Sequence, residues 1–177
     1  MTYYDFLESP YGRMLLVASD RGLAGIYFEG QKYDVPVQPE WRRDTHHSVL
    51  RQTRRELTEY FAGERKRFDI ALAAEGTPFR QSVWNAISTV EFGTTITYGE
   101  LARRAGVPGS ARAAGAATGR NPLTIVVPCH RIIGADGALT GYAGGLDRKR
   151  ALLALESGTP DLLSACQPAH DTSTVTA

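Results

Sequence analysis

Between Thr77 and Gly119 the chain is cut by helix start and stop signals into segments that fit only short, packed helices. Thr77 reads as an N-cap with Pro78 at the first helical position, followed by an apolar stripe of Phe79, Val83, Trp84, Ile87 and Val90. Thr97-Tyr98-Gly99-Glu100 reads as a capping box ahead of Leu101, Ala102 and Ala105, with Gly106 as the stop. After Val107-Pro108-Gly109, Ser110 opens a helix over Ala111 to Thr118, ended by Gly119. Two short helices joined by a tight Gly-containing turn are a helix-turn-helix pattern. The second helix, Ala111-Arg112-Ala113-Ala114-Gly115-Ala116-Ala117, has side chains small enough for close backbone approach, either to a ligand groove or to a neighbouring helix. Arg112 projects from it as a single basic residue.

The part before Thr77 has a different character. Tyr3 to Leu7, Met14 to Ser19 and Leu23 to Phe28 are short apolar, aromatic and β-branched runs separated by Pro10-Tyr11-Gly12 and Asp20-Arg21-Gly22. Turn signals between such runs predict an antiparallel meander. From Ser48 to Phe61, Val49, Leu50, Leu57, Tyr60 and Phe61 fall mainly on one helical face, and Gly63 ends the helix. The expected class is therefore α+β. It has a small α/β lobe with an antiparallel sheet over residues 1–76 and a mostly helical domain, with the helix-turn-helix and an active-site loop, over 77–158. The remaining residues, 159–177, are polar without Lys or Arg and are expected to be a disordered tail.

Charge refines this division. The chain has 177 residues and a formal net charge of +1, which taken alone argues against a nucleic-acid binder. By segment the balance is uneven: residues 77–158 hold nine basic against five acidic side chains, while residues 1–76 hold 11 against 12. Two cysteines, Cys129 and Cys166, cannot make a disulfide framework. A reducing, cytoplasmic setting follows, with no secretory leader or membrane span expected. His46-His47 could ligate a metal, but adjacent histidines in a charged loop are more simply read as solvated.

Beyond the turn dipeptide Asn121-Pro122, an apolar strand-like run, Leu123 to Val127, delivers Pro128-Cys129-His130-Arg131-Ile132-Ile133. A thiol is a nucleophile only as thiolate, and a neighbouring imidazole or cation is the usual means of lowering its pKa from about 8.5. Adjacent strand residues point to opposite faces, so Cys129 and His130 can communicate only through an irregular backbone at Pro128 or an intervening water. The simpler reading is a core cysteine beside a surface histidine. Against it stands Glu156, an acidic residue in the last turn of a helix capped by Asp147 and ended by Gly158. The helix dipole disfavours a carboxylate there, so another group must hold it, and His130 is a candidate. Thr140-Gly141-Tyr142-Ala143-Gly144-Gly145 is a Gly-rich loop that could close on a flat ligand or simply form turns.

Taken together, these residues resemble the O6-alkylguanine-DNA alkyltransferases. The anchor is Ile125-Val126-Val127-Pro128-Cys129-His130-Arg131-Ile132-Ile133, supported by Thr97 to Ala102, Ala111 to Gly115, Asn121-Pro122 and Gly141 to Gly145 in the family's order and spacing. The resemblance is close from Thr77 to Gly158 and weaker before it. It implies a repair protein that flips O6-alkylguanine, and less well O4-alkylthymine, out of double-stranded DNA and moves the alkyl group to Cys129 in one irreversible turnover, without a cofactor. By the same resemblance, His130 acts through water as the base, Glu156 orients it, Tyr98 donates toward guanine N3, and Asn121 pins the turn before the active-site segment. Arg112 is the finger that fills the vacated stack, on a helix whose Ala111, Ala113 and Gly115 approach a minor groove. Ile132, Tyr142, Ala143 and Gly144 are expected to line the guanine pocket.

The same comparison marks departures. Some members bind zinc through N-terminal Cys and His, and residues 1–76 contain no Cys, so no metal is expected. Ala143 stands where some relatives have Ser, and Cys166 lies outside the match as a bystander. The expectation is a monomer that needs no membrane and no protein partner. Two rivals remain: a non-enzymatic helix-turn-helix DNA-binding module, which has no need of the Pro-Cys-His-Arg segment, and a cysteine hydrolase, which would turn over.

Overall fold

The computed structural model describes residues 1–159. The expectation of disorder for residues 159–177 therefore falls, except for Thr159, outside the described residues, as does Cys166. Strands β1 (Thr2–Ser9), β2 (Gly12–Ser19) and β3 (Gly22–Phe28) form the expected antiparallel meander. A short β4 (Arg42–Arg43) adds to β1 in parallel, giving the order β3-β2-β1-β4. No apolar periodicity announces β4, because both its residues are exposed arginines. The central strand β2 is buried from Met14 through Ala18, which explains its unbroken apolar run.

Helix α1 (Ser48–Phe61) covers this sheet with Leu50, Leu57 and Tyr60, all essentially inaccessible. Helices α2 (Pro78–Ile87), α3 (Tyr98–Arg104), α4 (Ala111–Gly119) and α5 (Leu146–Ser157) follow, with a two-stranded parallel pair of β5 (Ile96–Thr97) and β6 (Ile132–Ile133). Sheet and helices share one hydrophobic cluster, to which β3 contributes Phe28 and Ile26 and the second half Trp84, Leu101, Ala114 and Leu123. Backbone bonds stitch the halves together: Ile26 N–H donates to the Pro122 carbonyl at 2.7 Å, and Lys32 N–H to that of Ala143 at 2.9 Å.

The punctuation read from the sequence is largely realised, with specific corrections. Thr77 caps α2 by accepting from Arg80 N–H, with Pro78 at the first position. Thr97 caps α3 by accepting from Glu100 N–H, yet the box is only half closed, since the Glu100 carboxylate binds Arg103 and Arg104 instead. Ser110 occupies the N-cap of α4 without a side-chain bond, and Gly119 is its last helical residue, Arg120 being the C-cap. Asp147 does not cap α5. Gly145 holds that position, and Asp147 lies in the first turn, exposed and paired with Arg150.

The strand expected over Leu123 to Val127 is absent. These residues form a compact turn in which Val127 N–H donates to the Leu123 carbonyl and Ile125 sits at a φ of 73°. A β-branched residue in the left-handed region is strained, and such strain persists only where surrounding contacts hold it. Here the Asn121 side chain supplies them, accepting from Leu123 N–H at 2.9 Å and donating to the Val127 carbonyl at 2.8 Å.

Candidate active site

The turn held by Asn121 leads into a 3₁₀ turn, Cys129–Arg131, in place of an extended strand. This irregular backbone lets consecutive side chains serve one site. Cys129 is only 5% exposed and borders a cavity of about 760 Å³ whose walls include Tyr98 from α3, Ala113 and Gly115 from α4, and Tyr142 and Ala143 from the Gly-rich loop. A cavity of that size falls in the range of small-molecule sites.

Helix α4 forms its wall because of its small residues. Ala114 and Ala117 are buried toward the protein, and the Trp84 indole donates to the Ala117 carbonyl at 2.9 Å. Gly115 lies over the Tyr98 ring, where an added Cβ would stand 3.6 Å from the nearest ring carbon. Arg112 and Ala113 face outward, and Ala111 is half-buried at the helix start, away from the cavity.

Behind the thiol, His130 is fully buried and its Nε2 lies 2.7 Å from Glu156 Oε1. Arg131 grips the same carboxylate with two bonds, Nε to Oε2 at 2.9 Å and Nη2 to Oε1 at 2.8 Å, and reaches the Val90 carbonyl with Nη1. These donors resolve the dipole problem at the end of α5. Burial pushes the Glu156 carboxyl up, but the bonds from His130 and Arg131 outweigh it and hold the pKa at about 2. An ionised carboxylate has no proton to give, so His130 Nε2 must carry the hydrogen. The lone pair is therefore on Nδ1, which is buried and makes no hydrogen bond among the described residues.

Burial also pushes the Cys129 thiol up, against the Asn121 side chain, the Lys149 charge and the backbone N–H groups of Cys129 and His130, which favour thiolate. Burial likewise pushes His130 below its usual pKa, with the Glu156 carboxylate pulling the other way. Thiol and imidazole are thus both favoured in their neutral forms at rest.

Not every expected residue reaches the cavity. The Ile132 carbonyl is occupied by Lys149 Nζ at 2.5 Å, and that of Gly144 by Arg148 Nη1 at 3.0 Å, so neither residue lines the wall. Asn121 acts through the turn and the thiol. The Tyr98 hydroxyl donates to the Thr140 carbonyl at 3.1 Å, and the Tyr142 hydroxyl is buried without a hydrogen-bond partner among the described residues. The structure adds residues that sequence reasoning missed. Lys32 and Tyr33 of the N-terminal lobe reach the cavity, Tyr33 stacked under the Arg120 guanidinium at 3.7 Å. Lys149 lies in the charged run Asp147 to Arg150, which reads as a solvated face.

Among the described residues no three His, Cys, Asp or Glu side chains group as metal ligands, and His47 packs its ring on Tyr3. No helix among them is long and apolar enough to cross a membrane.

Residues 78–158 match the family described as 6-O-methylguanine DNA methyltransferase, DNA binding domain, and residues 2–74 match its ribonuclease-like domain. A methylated-DNA–protein-cysteine methyltransferase of Methanosarcina acetivorans is 49% identical over 154 residues, covering 87% of this chain and 97% of that protein. Its namesake from Mycobacterium tuberculosis is 45% identical over 156 residues, covering 88% and 93%. The crystal structure of Mycobacterium tuberculosis OGT in complex with DNA superposes with a TM-score of 0.83 at 42% identity, covering 92% of this chain and 99% of that one. With both parts of the chain matched and identities this high over most of its length, the protein belongs to the 6-O-methylguanine DNA methyltransferase family.

Proposed function

We propose that this protein repairs DNA by transferring the alkyl group of O6-alkylguanine to Cys129. The observation that carries the proposal is Cys129 at the wall of a cavity beside the small-residue helix α4, backed by a buried His130–Glu156 pair. The alkylated base leaves the duplex and enters the cavity, at an unstacking cost of a few kcal/mol. Arg112, exposed on α4, fills the vacated stack, while Ala111, Ala113 and Gly115 let the helix backbone approach the minor groove.

Chemistry begins from the neutral thiol and imidazole. A water between Cys129 Sγ and His130 Nδ1 passes the thiol proton to the ring, and Glu156 stabilises the imidazolium through Nε2–H. The thiolate attacks the alkyl carbon in line. The S–C bond forms as the C–O6 bond breaks, and the electron pair passes into the guanine ring. The Tyr98 hydroxyl, held by Thr140 in the free protein, turns to donate toward guanine N3 and offsets that charge. Tyr142 and Ala143 enclose the base. A thioether is a poor leaving group, so the protein is consumed and no cofactor enters.

Every group in this scheme comes from one chain, which supports action as a monomer. The requirement for a reduced thiol supports a cytoplasmic setting. Incubation with duplex DNA carrying labelled O6-methylguanine tests the proposal. One label per protein on the Cys129 peptide is expected. Repeated turnover, or binding without transfer, would sink it.

A further inference from the structure

The Glu156 carboxylate has a donor that the proposed mechanism leaves unused. The Tyr60 hydroxyl, from α1 in the N-terminal lobe, lies 2.8 Å from Glu156 Oε1, the same oxygen that meets His130 Nε2. Tyr60 is completely buried, and its ring is fixed among Phe61, Phe68 and Phe92, with centroids 5.5 to 6.2 Å away. Since the carboxylate is ionised, the phenol must be the donor.

We infer that Tyr60 is a positioning residue for alkyl transfer, by which the N-terminal lobe sets the orientation and basicity of His130 through Glu156. The inference rests on the reading of Cys129, His130 and Glu156 given above. Three donors converge on Oε1: the Tyr60 hydroxyl, His130 Nε2–H and Arg131 Nη2. Each draws on the same negative charge, so the three donors compete for one oxygen, and in a low-dielectric interior that competition counts for more than in water. The phenol therefore restrains the pull of Glu156 on the imidazole. Without it the carboxylate charge concentrates on His130 and the imidazolium is favoured. The other charges facing His130 are Arg131 in its own turn and Lys149 on α5, both of which oppose its protonation. Removing the phenol also leaves Oε1 free to shift, so the ring is aimed less tightly at the thiol side.

The arrangement gives the N-terminal lobe a role in chemistry that its sequence does not advertise. Tyr60 reads as one more apolar position on the buried face of α1, and only the fold brings it across 96 residues of chain to Glu156.

The test uses the 177-residue chain with a duplex oligonucleotide carrying O6-methylguanine. Tyr60→Phe keeps the ring and removes only the hydroxyl. Transfer is expected to slow by about three- to thirtyfold, because the loss of aim outweighs the gain in basicity, and the His130 titration midpoint, followed by NMR of the labelled ring, to move up. Genetically encoded 3-fluorotyrosine at position 60 is the second variant: it keeps the fold and makes the phenol a stronger donor. It should move the midpoint down. Midpoints and transfer rates equal to wild type in both variants would overturn the inference, as would a change in thermal stability alone. Absence of transfer by the wild-type protein would instead overturn the alkyltransferase reading.

Discussion

Tyr98 and Lys149 converge on one atom, the carbonyl oxygen of Thr140, which accepts the phenol at 3.1 Å and the ammonium at 3.0 Å. Lys149 also holds the Ile132 carbonyl and is buried in the first turn of α5, where the helix dipole opposes a cation. Burial brings its pKa down to about 8, against the attraction of a Cys129 thiolate. The charge is present below pH 8 and fades above it. Lys149→Met should therefore raise the thiol pKa of Cys129 and slow transfer near neutrality roughly tenfold. The rate of Cys129 alkylation against pH, read on its peptide, measures this directly. An unchanged profile would show that Lys149 serves only as a clamp.

Arg112 stands exposed at the start of α4, and no side-chain bond or ion pair of it is seen among the described residues. Its energy is available to the DNA. Arg112→Ala should slow repair of a duplex by at least tenfold yet leave reaction with the free O6-alkylguanine base within about twofold, because only the duplex requires flipping. Equal slowing of both would refute the finger assignment.

Gly115 separates helix stability from groove approach. An alanine methyl there would stand 3.6 Å from the Tyr98 ring, an ordinary contact, while helix propensity favours Ala over Gly by about 1 kcal/mol. Gly115→Ala should raise the unfolding free energy by up to that amount. If α4 meets the DNA backbone closely, the same variant should bind duplex DNA several-fold more weakly. Gain of stability with undiminished binding would mean that the glycine serves packing alone. Denaturant titration and a binding isotherm at fixed salt separate the outcomes.

How much of this could be read beforehand depended on how local the signal was. Caps and stops depend on a few adjacent residues, so α2, α3 and α4 were legible, as was the β1–β3 meander with its turn residues. Leu123 to Val127 reads as a strand because β-branched runs favour extension. The side chain of Asn121 decides otherwise by taking two backbone partners that a strand would have paired elsewhere. Asp147 reads as a cap by residue type, whereas Gly145, at a φ of 91°, already turns the chain into α5. At the site, Cys129, His130 and Glu156 were legible as chemistry out of place. Tyr60 and Lys149 were not, since each suits its local pattern and acquires its partner only through tertiary contact.

Acid stability depends most on Glu156, the buried carboxyl of the site. Its carboxyl ionises at about 2 in the folded protein against an ordinary 4.5, so the unfolded chain takes up its proton first as pH falls. The contribution to stability is full above pH 4.5 and is lost on the way to pH 2, amounting to about 3 kcal/mol. His130, held by burial below its ordinary 6.5, acts in the same sense: the unfolded chain protonates more readily, so stability begins to fall below pH 6.5. Urea midpoints measured from pH 7 to pH 3 should therefore decline in two stages. Glu156→Gln should be destabilised by about 3–5 kcal/mol at pH 7, because Arg131 is left buried without its counter-charge. The variant should also show a shallower lower stage, with only other carboxyls such as Glu100, held at about 2 by Arg103 and Arg104, left to titrate there. A wild-type midpoint that stays flat from pH 5 to pH 3 would contradict an ionised, buried Glu156, and with it the tautomer that places the His130 lone pair on Nδ1.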